Sequence, residues 1–266
     1  MSRILALARA NWQTMLSYRL EFVMSIGSVL VSVVPIYFVA RAVQPVMADS
    51  IKTEGGQAFG FLVVGLVAFG LVSASITALP GAVAGGIRSG VLEALMATPT
   101  STTTLVMGLN SFALGMAWLR GGILLAAGAI LGAGLVPGRL LLGVGILVLI
   151  VLAHLPFGLI GAASVLAFRT SGPIPKGVLL ISGLLGGVYY PTHVIPSWLQ
   201  TVSMFLPLSY GLRALRKVTL QNASLSTVAP DLLALLIATV ILLSLGVGAF
   251  AWALRYARRQ GTLAQY

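Results

Sequence analysis

Glu21, Asp49, Glu54, Glu93 and Asp231 are the only carboxylates in the sequence, His154 and His193 are the only imidazoles, and cysteine is absent. A hydrolase needs a nucleophile held beside a base, or a cluster of metal ligands, and these residues are too few and too scattered to form either. A proton- or sodium-coupled carrier needs carboxylates inside its spans, and none of the five falls at the middle of an apolar run. The G-x-x-x-x-G-K-[ST] phosphate loop is also missing, so the chain has no such cradle with which to hydrolyse ATP by itself.

Two basic side chains do lie well inside apolar runs: Arg120 in "GMAWLRGGILL" and His154 in "VLAHLPFGL". A charge at the centre of a span costs about 2.5–3.5 kcal/mol on insertion scales, so Arg120 must face a partner, bond to carbonyls or snorkel outward. If it faces a path through the bundle, its planar fork suits an anionic or polar group. His154 is a substrate-path candidate by position, with a helix-to-helix hydrogen bond as the alternative use.

The elements that position these residues are membrane helices. Hydrophobic residues make up 58% of the 266, charged residues 8%, and the mean hydropathy is +1.04. Soluble domains carry about 25% charged residues. The net charge of +11 sits between apolar runs rather than in one patch with interleaved aromatics, which excludes nucleic acid and fits membrane topology.

Six apolar runs approach the roughly 20 residues a crossing needs: about 22–40, 59–79, 105–136, 140–168, 177–189 and 228–254. The third is overlong and the fifth short. Residues 1–20 carry Arg3, Arg9 and Arg19 without the pattern of a cleaved signal. Leu5, Ala8, Trp12, Met15 and Leu16 fall on one side of a helix and Arg9, Gln13 and Ser17 turn away, predicting a helix lying in the interface. With both termini cytoplasmic, Arg3, Arg9, Arg19, Arg88, Arg169, Lys176, Arg255, Arg258 and Arg259 are inside. Arg41, Lys52, Arg139, Arg213, Arg216 and Lys217 are outside, a modest positive-inside bias.

Between the fifth and sixth runs the chain reads "GGVYYPTHVIPSWLQTVSMFLPLSYGLRALRKV", with prolines at 191, 196 and 207. Ile195, Trp198, Leu199, Val202, Phe205 and Leu206 share one helical face, opposed by Ser197, Gln200, Thr201 and Ser203. Leu208, Leu212, Leu215 and Val218 repeat the pattern beside a basic face. Two short amphipathic helices broken at Pro207 can dip into the outer leaflet and return, so residues 191–217 are expected to form an outer re-entrant hairpin.

The inner loop over residues 81–101, "GAVAGGIRSGVLEALMATPTS", carries an apolar strip of Ile87, Val91, Leu92, Leu95 and Met96, with Arg88 and Glu93 on other faces and Pro99 as terminator. Such a ridge suits either a helix resting on the membrane or a knob set into a cytoplasmic partner. Gly90, Leu92, Glu93, Leu95, Thr98 and Pro99 resemble the "G-x-L-E-x-L-x-x-T-P" stretch of ABC-2 type permeases, the membrane subunits of a class of ATP-binding cassette exporters. Gly187, Tyr190 and Pro191, then Pro196 to Leu199, then Pro207, Ser209, Tyr210 and Arg216, are similar to that family's later signature. One departure stands out: members often carry a Glu shortly before the loop glycine, where this chain has Gly85, Gly86 and Ile87.

The resemblance implies an all-α membrane protein of six transmembrane helices, with an N-terminal interfacial helix and the outer re-entrant hairpin between spans five and six. It implies a multi-pass permease of a bacterial plasma membrane that exports a drug, lipid, glycolipid or polysaccharide. Implied partners are a cytoplasmic ABC ATPase subunit, a second protomer (identical or a close paralogue) and membrane lipid. ATP and Mg would bind through the ATPase, with no cofactor on this chain. ATPase coupling would fall to Arg88, Val91, Leu92, Glu93, Leu95 and Met96, and an outer gate to Tyr190, Pro191, Pro207 and Tyr210. A non-transporting membrane scaffold or assembly factor is the alternative reading.

Overall fold

The computed structural model describes residues 19–91, 102–168 and 172–260. Within them the chain is helical and no strand occurs. The helices are α1 (Arg19–Met47), α2 (Ala58–Arg88), α3 (Thr102–Ile130), α4 (Leu140–Phe168), α5 (Pro173–Leu185), α6 (Ser197–Ser203), α7 (Pro207–Gln221) and α8 (Leu225–Gln260). The interfacial helix expected over residues 1–20 lies outside the described residues except for Arg19 and Leu20, which open α1.

Among the described residues, five stretches are long and apolar enough to cross a membrane: Phe22–Met47, Ala58–Arg88, Asn110–Ile130, Pro137–Phe168 and Leu225–Tyr256. The fifth expected run becomes α5, whose 13 residues span only about 20 Å against a hydrocarbon core of about 30 Å. The overlong third run resolves differently. Its helix ends at Ile130, and Gly132 and Gly134 then turn the chain with positive φ, so the surplus residues form a connection. Span two runs longer than expected. α2 passes through Pro80 to Arg88, so residues 81–88 of the inner loop are a continuation of the span.

α2 is the central post, with α3 on one side, α4 on the other, and α1, α5 and α7 also against it. Its apolar residues are buried along most of its length, from Phe59 to Val83, which is why it reads as apolar all round rather than amphipathic. α4 packs between α2 and α8. Phe61, Val67, Leu71, Ile146, Ile150, Leu208 and Leu212 belong to the main core, and a second cluster, Leu79, Val83, Leu159, Leu166, Phe250 and Leu254, closes the opposite end. α1 and α8 present mostly exposed apolar faces, as lipid-facing or partner-facing helices do.

The chain between α5 and α8 folds back into the bundle. α7 lies along the opening turns of α4: Gly211 sits against Ile150, Thr219 against Gly143, and Arg139 donates to the Asn222 side chain at 2.7 Å. α7 therefore rises from about 15 Å inside the bundle, ten residues into α4, to its rim. The three prolines do not break helices here. Each stands at the start of an element: Pro191 before the 3₁₀ turn Thr192–Val194, Pro196 at the N-cap of α6, and Pro207 at the first turn of α7. Those positions have N–H groups without helical partners anyway, so the missing donor costs little.

Candidate functional site

Arg216 organises the end of the bundle that carries the hairpin. The basic face expected on α7 does not include it: its side chain turns inward and is 1% exposed. Arg216 Nη1 donates to Glu54 Oε2 at 2.9 Å and to the Gly187 carbonyl at 2.8 Å, while Nη2 donates to the carbonyls of Phe61 and Val188, both at 3.1 Å. The guanidinium carbon lies 3.3 Å from the centre of the Phe61 ring. One side chain thus ties α7 to the α1–α2 loop, to the first turn of α2 and to the segment that follows α5.

Backbone shape is tuned to admit that guanidinium. A Cβ at Gly65 would overlap the Val188 carbonyl oxygen and stand 2.7 Å from Arg216 Nη2, and Gly187 has φ of 84°. Both positions require glycine, one for space and one for conformation. Around this centre, Gln44 donates to the Gly56 carbonyl and accepts from the Ala58 N–H, and Gln221 donates to the Lys52 carbonyl. The two loops and the hairpin are stitched into one cap.

The remaining bases at this end are also engaged. Asp231 of α8 pairs with Arg213 at 2.7 Å and with Lys217 at 3.6 Å, and Lys52 pairs with Asp49 at 2.7 Å. Asp49, Glu54 and Asp231 therefore each offset a basic residue at this end of the bundle.

Arg120 occupies a second, separate place. It borders a groove of about 540 Å³ between α1, α2 and α3, with Ser25, Ser32, Ser73 and Thr77 among the lining and Val29, Leu66 and Met116 supplying apolar wall. Arg120 Nε and Nη2 both donate to Ser25 Oγ, at 3.0 and 2.5 Å. No carboxylate pairs with it among the described side chains, which do not include that of Glu21.

The structure does not bring His154 to this groove. His154 is fully buried on α4, its Nδ1 2.8 Å from the Ile150 carbonyl and its ring beside Phe157. That carbonyl bond makes Nδ1 the protonated nitrogen, and Nε2 has no partner among the described residues.

The four hairpin residues are held individually rather than as a cluster. The Tyr190 hydroxyl donates to the Leu184 carbonyl, Tyr210 lies under the Arg213 guanidinium at 5.2 Å, and Pro191 and Pro207 are buried. At the opposite end, Arg88 closes α2, Gly90 turns with φ of 71°, and Val91 is exposed. Leu92, Glu93, Leu95 and Met96 lie outside the described residues.

Sequence reasoning misses Arg216 and Glu54. The signal is present in the spacing, because Arg216 stands four residues after Leu212 and three before Thr219, inside the buried arc of α7. The family model for the ABC-2 type transporter matches residues 2–220, a stretch that includes the α2–α3 connection, the Arg120 groove and all of α7 but its last residue. No curated protein matches the chain.

Proposed function

Because the chain belongs to the ABC-2 type transporter family, whose membrane domains are permeases rather than catalysts, we propose that it is the permease of an ATP-driven exporter. Two protomers, identical or closely paralogous, would join two cytoplasmic ATPase subunits in the plasma membrane. The cargo would be a hydrophobic or amphipathic molecule taken from the cytoplasm or inner leaflet.

The observation that carries this reading is the contrast between the two ends of the bundle. One end is closed by a cap of hairpin and loops pinned on Arg216. The other presents the α2–α3 connection, beginning at Arg88, Gly90 and the exposed Val91. An ATPase engaging residues 81–101 would push on α2, since residues 81–88 continue that helix past Pro80. α2 packs against α1, α3, α4, α5 and α7, so a tilt there reaches both the Arg120 groove and the cap.

In this reading α5 forms a sixth, short crossing. Its thirteen helical residues give about 20 Å, and the chain then turns at Gly186 and Gly187, the second with positive φ. Residues 191–217 then form the outer re-entrant hairpin, supported by the way α7 runs from mid-bundle to rim. Both termini would be cytoplasmic, and Tyr190, Pro191, Pro207 and Tyr210 would sit where the path opens outward. The test is ATP-dependent transport in proteoliposomes of the permease with its ATPase. Transport that needs both subunits and is lost on altering residues 91–96 supports the reading, and transport without nucleotide overturns it.

A further inference from the structure

Two polar atoms on neighbouring helices are buried without a hydrogen-bond partner among the described residues: Nε2 of His154 on α4 and Oγ of Ser182 on α5. Both residues are 0% exposed. Serine and threonine hydroxyls inside apolar helices commonly donate to the carbonyl four residues back, as Ser75, Ser164 and Thr239 do in this bundle. Ser182 does not. An unpaired polar atom shut away from solvent is costly, so such atoms are rare in folded chains and often mark a bound water or ion.

Helix packing sets the two side chains opposite each other. α4 and α5 run antiparallel: a Cβ added at Gly161 would stand 2.6 Å from Pro175, and one added at Gly172, just before α5, would stand 3.5 Å from Ser164. Three steps back along α4 thus match three steps forward along α5. Seven further residues, about two turns, bring the same two faces together again at His154 and Ser182. The third wall is apolar. α2 runs parallel to α4 with its Ser75 carbonyl against Gly158, so His154, one turn earlier, is level with the buried Leu71 and Val72. Gly183, next to Ser182, packs on the Phe69 ring. Ser75 cannot donate to His154, because its hydroxyl proton already goes to the Leu71 carbonyl.

The imidazole does not close the gap itself. Its Nδ1 donates to the Ile150 carbonyl at 2.8 Å, which leaves Nε2 an acceptor and ties the ring back along its own helix. Ser182 has a proton to give, yet no hydrogen bond joins the two. We propose that one water molecule is bound between α4 and α5, donating to His154 Nε2 and hydrogen-bonded to Ser182 Oγ. Two polar partners are enough to hold a buried water in apolar surroundings. The bridge ties α5 to the core of the bundle just before the chain reaches Gly187 and Val188, whose carbonyls receive Arg216. It rests on α4 and α5 alone and does not depend on the permease reading.

Solid-state NMR of the full chain in phosphatidylcholine bilayers, with the histidine ring nitrogens isotopically labelled, tests the site without nucleotide or transport. The sequence has only two histidines, and His193→Gln identifies the signal of the exposed one. His154 should show a protonated Nδ1, and an unprotonated Nε2 displaced from the shift of a bare nitrogen. Magnetisation should pass from water protons to Nε2, and that transfer should disappear in heavy water. Ser182→Ala should abolish the transfer and return Nε2 to the bare shift, while Ser182→Thr, which keeps the hydroxyl, should preserve both.

A bare Nε2 in the wild type, or unchanged transfer in a folded Ser182→Ala protein, would overturn the site. A strong dipolar coupling between Nε2 and Ser182 Cβ would overturn it as well, because it marks a direct hydrogen bond with no water between. The wild-type readings decide the question even if Ser182→Ala fails to fold.

Discussion

Replacing Arg216 with Met keeps most of the side-chain volume and removes the charge from the centre of the cap. Glu54 is left with 9% exposure and no cation, and the carbonyls of Gly187, Phe61 and Val188 lose their donors. Breaking a buried ion pair from one side costs about 3–5 kcal/mol. At about 2–4 °C per kcal/mol for chains of this size, the unfolding midpoint should drop by about 6–20 °C. Much of that penalty is the orphaned carboxylate, so Glu54→Gln combined with Arg216→Met should recover part of it. Asp231→Asn is the internal comparison: its partners Arg213 and Lys217 are 41% and 27% exposed, and losing each pair should cost about 1 kcal/mol or less. The assay is thermal unfolding in detergent, followed by tryptophan fluorescence and by recovery of the monodisperse peak. An Arg216→Met protein that melts within about two degrees of wild type would refute the assignment of Arg216 as the residue that holds the cap together.

Gly65→Ala should destabilise by about 1–3 kcal/mol, because its Cβ would press on the Val188 carbonyl and on Arg216 Nη2, and a melt equal to wild type would show that the hairpin gives way freely. Leu95→Asp or Met96→Asp should reduce the ATPase that copurifies or uncouple its turnover, and full ATPase with normal transport in a well-expressed variant would remove residues 81–101 from coupling. Cysteines placed singly at Ser197, Gln200 and Arg213 should react with an impermeant thiol reagent from outside, against a background with no native cysteine. Labelling at Arg213 only after permeabilisation, with outside labelling at Arg258, would overturn the six-crossing topology.

The long spans are legible because a bilayer demands about 20 apolar residues in a row, and α2, α4 and α8 meet that demand without interruption. The end of α3 is not, since Leu131 and Leu135 read as apolar as the helix before them. What ends that helix is backbone geometry at Gly132 and Gly134, and 31 glycines make any one of them a weak signal. Prolines mislead in a different way. At 191, 196 and 207 they look like breaks in the sequence and are starts in the structure, which agrees on two short helices while changing the physical reason for them.

Arg120 is conspicuous because a charge inside an apolar run is rare. Arg216 is not, because on α7 it sits among Arg213 and Lys217 and looks like one more member of a solvated face. Its partner Glu54 lies 162 residues away, and a pairing over that separation is invisible to local periodicity. His154 passes the same rarity test as Arg120 and ends in a hydrogen bond to its own helix, so rarity marks a polar residue without saying which side it faces.

The most direct test of the account is purification of the tagged chain from its native membrane, followed by quantification of what accompanies it. The account predicts an ABC ATPase subunit in equal amount, eluting with two copies of the permease and hydrolysing ATP in a vanadate-sensitive way. A folded chain that elutes from gently solubilised native membranes with no ATPase and no nucleotide hydrolysis would contradict it.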